Sequence, residues 1–479
     1  MIHRREPWEF FGRGKVLSFT GLLAVALASG MTIEAQTDPG PRGGAAGAGR
    51  PIAGLTPGES SFFINVATPT FNEVENVAQG LGPRFNFDSC AGCHIQPAVG
   101  GSSPSTNPQF TRAGTMAPGN TIPFFVTLNG PIREARFIKN ADGSPDGGVH
   151  DLFTIAGRAD KPAGCSIQQP NFQQEFNNNN LIFRIPTPTF GAGLIEAISD
   201  TTIRNNLASD PGGRKAALGI KGHVNTNGND VTVTRFGWKA QNKSLMIFAG
   251  EAYNVEMGVT NENFSNEREE DANCAKSATP ESDFGFSVGS IAASDITAFR
   301  AFMRFLDQPT PVESFGTVSA ASIQNGRTLF DSTGCGLCHT PSLTTGFSST
   351  AALSNQQANL FSDLSLHHMG STLADGIRQG AAGPDEFRTA PLWGVGQRIF
   401  FLHDGRTSNV LQAIQAHQSN DFECASTADA ETFVQRPGIF QAAASATFFC
   451  DSEANGVITN FNNLNASHKQ DILNFLRSL

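Results

Sequence analysis

Two short runs carry the chemistry of this chain: Cys90-Ala91-Gly92-Cys93-His94 and Cys335-Gly336-Leu337-Cys338-His339. Each is a C-x-x-C-H pattern, the attachment signature of a c-type haem. The spacing has a mechanical reason. Two thiols three residues apart share one face of a helical turn, where both can form thioethers to one porphyrin edge. The imidazole that follows is then set beneath the iron as its proximal ligand. With eight Cys and ten His in 479 residues, chance supplies roughly 0.003 such matches. A structural zinc site lacks a second ligand pair nearby, and a thioredoxin-like pair needs no histidine in either copy. Two covalently bound haem c groups are therefore expected, attached at Cys90, Cys93, Cys335 and Cys338, with His94 and His339 as metal ligands.

The elements that position these motifs recur in the same order. The run NGRTLFDSTGCGLCH (325–339) answers GLGPRFNFDSCAGCH (80–94). Phe387 to Gly396 answers Phe183 to Gly193, with matched Arg, Pro and Gly positions. A closing helix after Ser294-Asp295, ended by Pro309, answers one after Ser467, whose spacing to Gln470 suits a capping box. The fold class expected is mainly α: two cytochrome c-like domains related by duplication, residues 59–309 and 310–479. The first carries an insertion of about a hundred residues, judged from the unequal spacing of shared landmarks. Within it, residues 223–236 alternate after an Asn-Gly-Asn-Asp turn signal and read as a β-hairpin.

Residues 1–35 read as a Sec-type signal peptide, with a basic start (Arg4, Arg5, Arg13, Lys15) and an apolar stretch from Val16 to Leu27. Cleavage falls after Ala35, or alternatively Ala28. Residues 36–58, rich in Gly, Pro and Ala, read as a flexible linker. The stretch is short for a spanning helix and no other run approaches twenty apolar residues, so no stable membrane span is expected. The compartment implied is the periplasm or the cell exterior. There, Cys165, Cys274, Cys424 and Cys450 are candidates for disulfides. Keeping each pair inside one haem-bearing half gives Cys165–Cys274 and Cys424–Cys450. The net charge of −10 argues against nucleic acid as a partner. The aromatic usage is lopsided: 39 Phe against one Tyr (Tyr253) and three Trp (Trp8, Trp238, Trp393). Phenylalanine fills a core without offering an easily oxidised ring, which would suit a protein that handles strong oxidants.

Four longer runs carry a resemblance: residues 80–101, RFGWKAQNKSLMIFAGEAYNVEMG (235–258), FSDLSLHHMG (361–370) and TAPLWGVGQRIFFLHDGRTSNVLQAIQAH (389–417). Together they resemble the bacterial di-haem oxidoreductases, a group that includes "thiol oxidoreductases" and is similar to the di-haem cytochrome c peroxidases and to the di-haem enzyme that matures methylamine dehydrogenase. The word thiol finds no support here, since both C-x-x-C pairs are used by haem. The resemblance implies an exported oxidoreductase, peroxidase-like, that takes electrons at the C-terminal haem and reduces peroxide at the N-terminal one. It implies that His417, at a fixed interval after His403-Asp404-Gly405, is the second ligand of the C-terminal haem, with Met369 as rival. Glu256, in Glu256-Met257-Gly258, matches the family's catalytic carboxylate, a general acid–base group at peroxide. A carboxylate in an apolar pocket has a raised pKa suited to that work. Glu196 is a second carboxylate to watch. The usual histidine cap of the N-terminal haem is missing, so that iron reads as open, with His150 and Met116 as possible caps. No glutamine clearly matches the family's partner to the catalytic carboxylate. Arg398 and Phe400 hold the places of the Thr-x-Pro that supplies carbonyls to a calcium ion between the haems, so calcium is a possible cofactor whose motif is not matched. Trp238 and Trp393 sit at matched places and could relay electrons, though buried core packing accounts for them equally. The partners implied are a small electron-donor cytochrome or cupredoxin, and peroxide or another small oxidant. Two other functions fit a di-haem chain: an electron carrier with no substrate site, and an oxidase or oxygenase of an organic substrate.

Overall fold

Both C-x-x-C-H motifs are framed by a pair of crossed helices. Before the first, Thr56 and Glu59 form a reciprocal capping box and Pro57 occupies the first turn of the helix Pro57–Phe62. That helix runs through a π turn (Phe63–Ala67) into Thr68–Asn72. Its apolar side meets the helix Asp295–Phe305: Phe71 stacks on Phe302 with ring centroids 4.0 Å apart. The same Phe71 stands edge-on to His94 at 6.3 Å. In the C-terminal half, the helix Ala320–Thr333 crosses Ala466–Ser478. Gly326 permits the crossing, because a Cβ there would lie 1.9 Å from the Asp471 carbonyl oxygen. From that contact Phe330 reaches Phe475 and stands 6.3 Å from His339.

This computed structural model describes residues 36–479, except 269–270, 276, 278, 283–285, 289–290 and 422–449. The proposed signal sequence and Cys424 lie outside the described residues. The described residues are mostly helical, with small antiparallel sheets. One hydrophobic cluster extends from Phe63 through Phe299 to Leu360 and Trp393, and a second packs Phe330, Phe461 and Phe475. No helix of the described residues is long and apolar enough to cross a membrane.

Ahead of the second motif lies a three-stranded sheet in which Glu134–Phe137 lies between Val149–His150 and Leu181–Arg184. Glu134 pairs across the ladder with Arg184, and Glu134 and Arg136 share one face because strand side chains alternate. Cys165 and Cys274 are disulfide-bonded, closing a loop of separation 109. Such a crosslink contributes on the order of 4–5 kcal/mol by restricting the unfolded chain.

Three expectations from the sequence need correction. Residues 36–58 are not a loose tether. Residues 38–52 form an ordered strap: Asp38 pairs with the buried Arg477 at 2.7 Å, the Arg42 amide donates to the Gly396 carbonyl at 2.8 Å, and the Ile52 amide to Phe305 at 2.7 Å. A glycine-rich composition signals freedom in the unfolded chain, but these long-range bonds fix it. The arms of residues 223–236 meet at a single antiparallel bridge, Thr226↔Val233, flanked by backbone bonds from Asn227 to Thr232 and from Thr234 to Asn225, while His223 and Phe236 bridge outward to Leu366 and Asn242, so no longer hairpin ladder forms. There the side chains of Asn225 and Asp230 bond neighbouring backbone amides and compete with strand pairing. Finally, Asn465 rather than Ser467 caps the last helix, accepting from the His468 amide at 2.9 Å. Gln470 instead clasps the backbone of Thr37.

Arg477 is fully buried, and Asp38 is its only ion-pair partner among the described residues. Burial pushes the Asp38 carboxyl up, but bonds from Arg477 and the Val410 amide outweigh it and hold the group below the usual range. Asp38→Ala should therefore cost about 3–5 kcal/mol at neutral pH by stranding a buried guanidinium. The wild-type advantage should fade in acid as Asp38 protonates in the folded state. Denaturant melts at pH 7 and pH 3 check both statements.

Candidate functional site

A cleft with about 1200 Å³ of space, part of it open to solvent, is lined by Cys90, Cys93, His94 and Glu256, and a second with about 1420 Å³, likewise partly open, by Cys335, Cys338, His339, Met369 and His417. In the first motif Cys90–Cys93 is a single helical turn. Gly92 is required there, since a Cβ would meet the Phe87 ring at 2.1 Å. His94 is oriented by its own loop: Nδ1 donates to the Gly101 carbonyl at 3.1 Å, which leaves Nε2 as the acceptor nitrogen. His339 is held alike, Nδ1 to the Phe361 carbonyl at 3.0 Å. Burial lowers the pKa of both imidazoles, His339 to about 4 with His417 as the next cause, so each is neutral and able to ligate a metal. The four motif cysteines are free of disulfides. Burial raises Cys90 and Cys93 well above an ordinary thiol, with Glu256 contributing next, so they are poor candidates for thiolate redox chemistry. Free thiol pairs beside large cavities, each with a neutral, oriented imidazole, fit haem c at both places.

The cavities differ in their remaining donors. In the second, His417 donates from Nδ1 to the Ala413 carbonyl at 2.7 Å, and burial lowers its pKa. Its free Nε2 therefore shares a cavity with that of His339, and Met369 lines the same wall. In the first, His94 is the one histidine among the described lining residues. The expected alternatives are elsewhere: His150 stacks on Phe137 at 3.6 Å and bonds Asp146 at 2.8 Å, and Met116 is buried in the core. Neither lines the cavity, whose two thioethers are Met257, 3.8 Å from the Cys90 sulfur, and Met303.

Glu256 sits in the last turn of the helix Leu245–Met257, which Gly258 ends at φ 75°. A Cβ on Gly258 would lie 2.4 Å from the Arg84 carbonyl oxygen. The Asn86 amide donates to the Glu256 carbonyl at 2.8 Å, and Gly82 to Met257 at 2.9 Å, so the helix end is bolted to the chain leading into the first motif. The Glu256 carboxyl has no hydrogen-bond partner among the described residues. Its pKa is raised to about 8, by burial first and then by Glu134, while Arg136 opposes. Glu196, by contrast, is structural: it pairs with Arg304 and accepts from the Leu245 amide at 2.9 Å.

The sequence reading missed a polar wall facing Glu256. Glu134, Arg136 and Arg184 from the three-stranded sheet line this cavity, with Glu251 and Gln241. Gln241 keeps a buried carboxamide oxygen without a partner among the described residues. The one available signal was the Glu-Ala-Arg alternation at 134–136, which points two charges to one side of a strand. Trp238 lines both haem-sized cavities, its indole N–H fixed to the Ile185 carbonyl at 3.0 Å, whereas Trp393 lines only a smaller cavity between them. His368, Asp385 and Cys450 also converge, with ligand atoms within 4.8 Å of one another. Cys450 is disulfide-bonded, so that cluster offers no thiolate.

The geometry thus defines a chain built to hold two haems in unlike surroundings. Residues 136–435 match the family described as "Di-haem oxidoreductase, putative peroxidase", and the chain belongs to that family. The matched span includes Glu256, the second motif and His417, while the first motif precedes it. No curated protein matches the chain. No solved structure matches it either.

A raised carboxyl destabilises the fold as pH climbs. Between the unfolded value near 4.5 and the folded value near 8, the unfolded chain gives up a proton that folded Glu256 keeps. Glu256→Gln should therefore be more stable than wild type above pH 7, and the difference should vanish below about pH 4. Unfolding free energies measured across pH 4–9 decide this.

Proposed function

We propose that this chain is an exported peroxidase in which electrons enter at the C-terminal haem and peroxide is reduced at the N-terminal one. The observation that carries this reading is the contrast between the cavities. His339 shares its cavity with a second imidazole whose Nε2 is bare, His417, whereas His94 shares its cavity with a carboxyl, Glu256, that has no hydrogen-bond partner among the described residues. Bis-histidine ligation saturates an iron and lowers its potential relative to histidine–methionine, which suits an electron-transfer site. An iron with one protein ligand and an acid–base group nearby suits a small oxidant.

When bound, haem supplies an iron that can accept a peroxide oxygen and exchange electrons. The protein's own groups manage the protons. The Glu256 carboxylate takes the proton from the near peroxide oxygen and returns it to the far one, which departs as water. A carboxyl poised near 8 can do both at neutral pH, because its two protonation states lie close in free energy. Gln241, with its free carboxamide oxygen on the same wall, is the candidate for the accompanying glutamine. Trp238, in the walls of both cavities, is the candidate relay for electrons between them.

The crossed helices around each motif support a duplicated cytochrome c-like plan, with halves at 59–309 and 310–479. The Cys165–Cys274 disulfide supports an oxidising compartment, and hence a periplasmic or secreted protein. The electron donor would be a small cytochrome or cupredoxin. Steady-state peroxide reduction with a reduced small cytochrome tests the reading. Glu256→Gln, with both haems attached, should lose on the order of a hundredfold or more in turnover. Turnover equal to wild type would remove Glu256 from the chemistry, and no turnover in the wild-type holoprotein would remove the peroxidase reading itself.

A further inference from the structure

The smaller cavity, about 590 Å³, lies between the two haem-sized ones and shares Trp238 with both. With the C-terminal cavity it also shares Arg388 and Arg398. Arg388 ends the strand Glu386–Arg388 and is 8% exposed; its guanidinium spends one N–H on the Gly237 carbonyl at 3.0 Å. The Arg398 guanidinium makes no hydrogen bond, and neither arginine has an ion-pair partner, among the described residues. The two lie close enough to repel: burial first, then Arg398, lowers Arg388 to about 10. Burial alone lowers Arg398 to about 10. The carboxylate that offsets Arg388, Asp363, is committed to His367 at 2.9 Å and to the Ser365 amide at 3.0 Å.

Two guanidiniums lining the same two cavities, Arg388 buried and Arg398 half-buried, with no ion-pair partner among the described residues, are unfavourable unless an anion completes the site. Their fork of donors matches a carboxylate in bidentate geometry. Both arginines line the cavity that holds His339 and His417, and the group expected there carries two carboxylates at one edge.

We propose that Arg388 and Arg398 form the carboxylate-binding site of the C-terminal haem, taking its propionates, and that this fixed pair of positive charges serves the inter-haem junction without a metal ion. The proposal rests on the two-haem reading above. It also accounts for the arginine found at residue 398, where the family resemblance would have placed a calcium-binding threonine. Fixed positive charge beside the haem edge favours the reduced state. It therefore offsets part of the lowering that bis-histidine ligation brings.

The test uses the full-length holoprotein. Haem is counted first by the pyridine haemochrome spectrum; fewer than two haems per chain would defeat the underlying reading and this proposal with it. The midpoint potential of the low-spin haem is then titrated in wild type, Arg388→Gln, Arg398→Gln and Arg398→Lys, and calcium is measured before and after EGTA. Each Gln variant should shift the reduction equilibrium toward the ferric state at least tenfold, which is 59 mV for one electron. Arg398→Lys, which keeps the charge but not the fork, should shift it less and remains informative should a Gln variant fail to fold. Wild type should hold no stoichiometric calcium, and EGTA should leave its potential unchanged. Unshifted potentials in the variants that fold, or one bound calcium whose removal moves the potential, would overturn the proposal.

Discussion

An imidazole serves an iron best when one ring nitrogen is held by a hydrogen bond and the other is left bare, and both motif histidines here are held by backbone carbonyls. The Gly101 oxygen holds His94, and the Phe361 oxygen holds His339. Much of the surrounding architecture exists to put those two carbonyls in place. The loop from His94 to Gly101 folds back on itself through paired bonds between Gln96 and Ser102. The Phe361 carbonyl is placed by a chain whose amides pair with Pro341, Thr340 and Cys338 just after the second motif. The crossed helices then press Phe71 and Phe330 against the same imidazoles. Attachment, orientation and burial are coupled at each motif.

Around this shared plan, the two cavities diverge through what the rest of the chain contributes. The C-terminal cavity receives a second imidazole from the helix ending near His417 and two arginines from the neighbouring strand and turn. The N-terminal cavity receives instead the end of the helix Leu245–Met257 and one face of the three-stranded sheet. That sheet therefore does more than connect helices. It brings Glu134 close enough to raise Glu256 while Arg136 restrains the rise. The carboxyl is left poised rather than frozen in one protonation state.

The legible parts of the sequence were those where chemistry dictates spacing. Thioether attachment demands C-x-x-C-H, so both motifs could be read without a structure, and so could the apolar helix closed by Pro309. Glu256 and His417 were visible through motif resemblance, since nothing in a lone carboxylate or a lone imidazole marks its role. The polar wall was not visible, because Arg184 reaches Glu134 only through strand pairing across some fifty residues. The strap misled because Gly, Pro and Ala describe the unfolded chain, whereas its order comes from Arg477 and Gly396 far along the sequence. Alternation at 223–236 overstated the strands: pairing stops at one bridge, and the Asp230 side chain takes the Thr232 amide that a longer ladder would have used.

The central claim is that two chemically equivalent attachment motifs support two unlike irons. Low-temperature electron paramagnetic resonance of the ferric holoprotein, combined with optical spectra of the reduced protein before and after carbon monoxide, addresses it most directly. The account predicts one high-spin or exchangeable haem that binds carbon monoxide and one low-spin bis-histidine haem that does not, with His417→Gly converting the second alone. Two low-spin haems that both ignore carbon monoxide, or a high-spin signal that disappears with the second motif instead of the first, would contradict it.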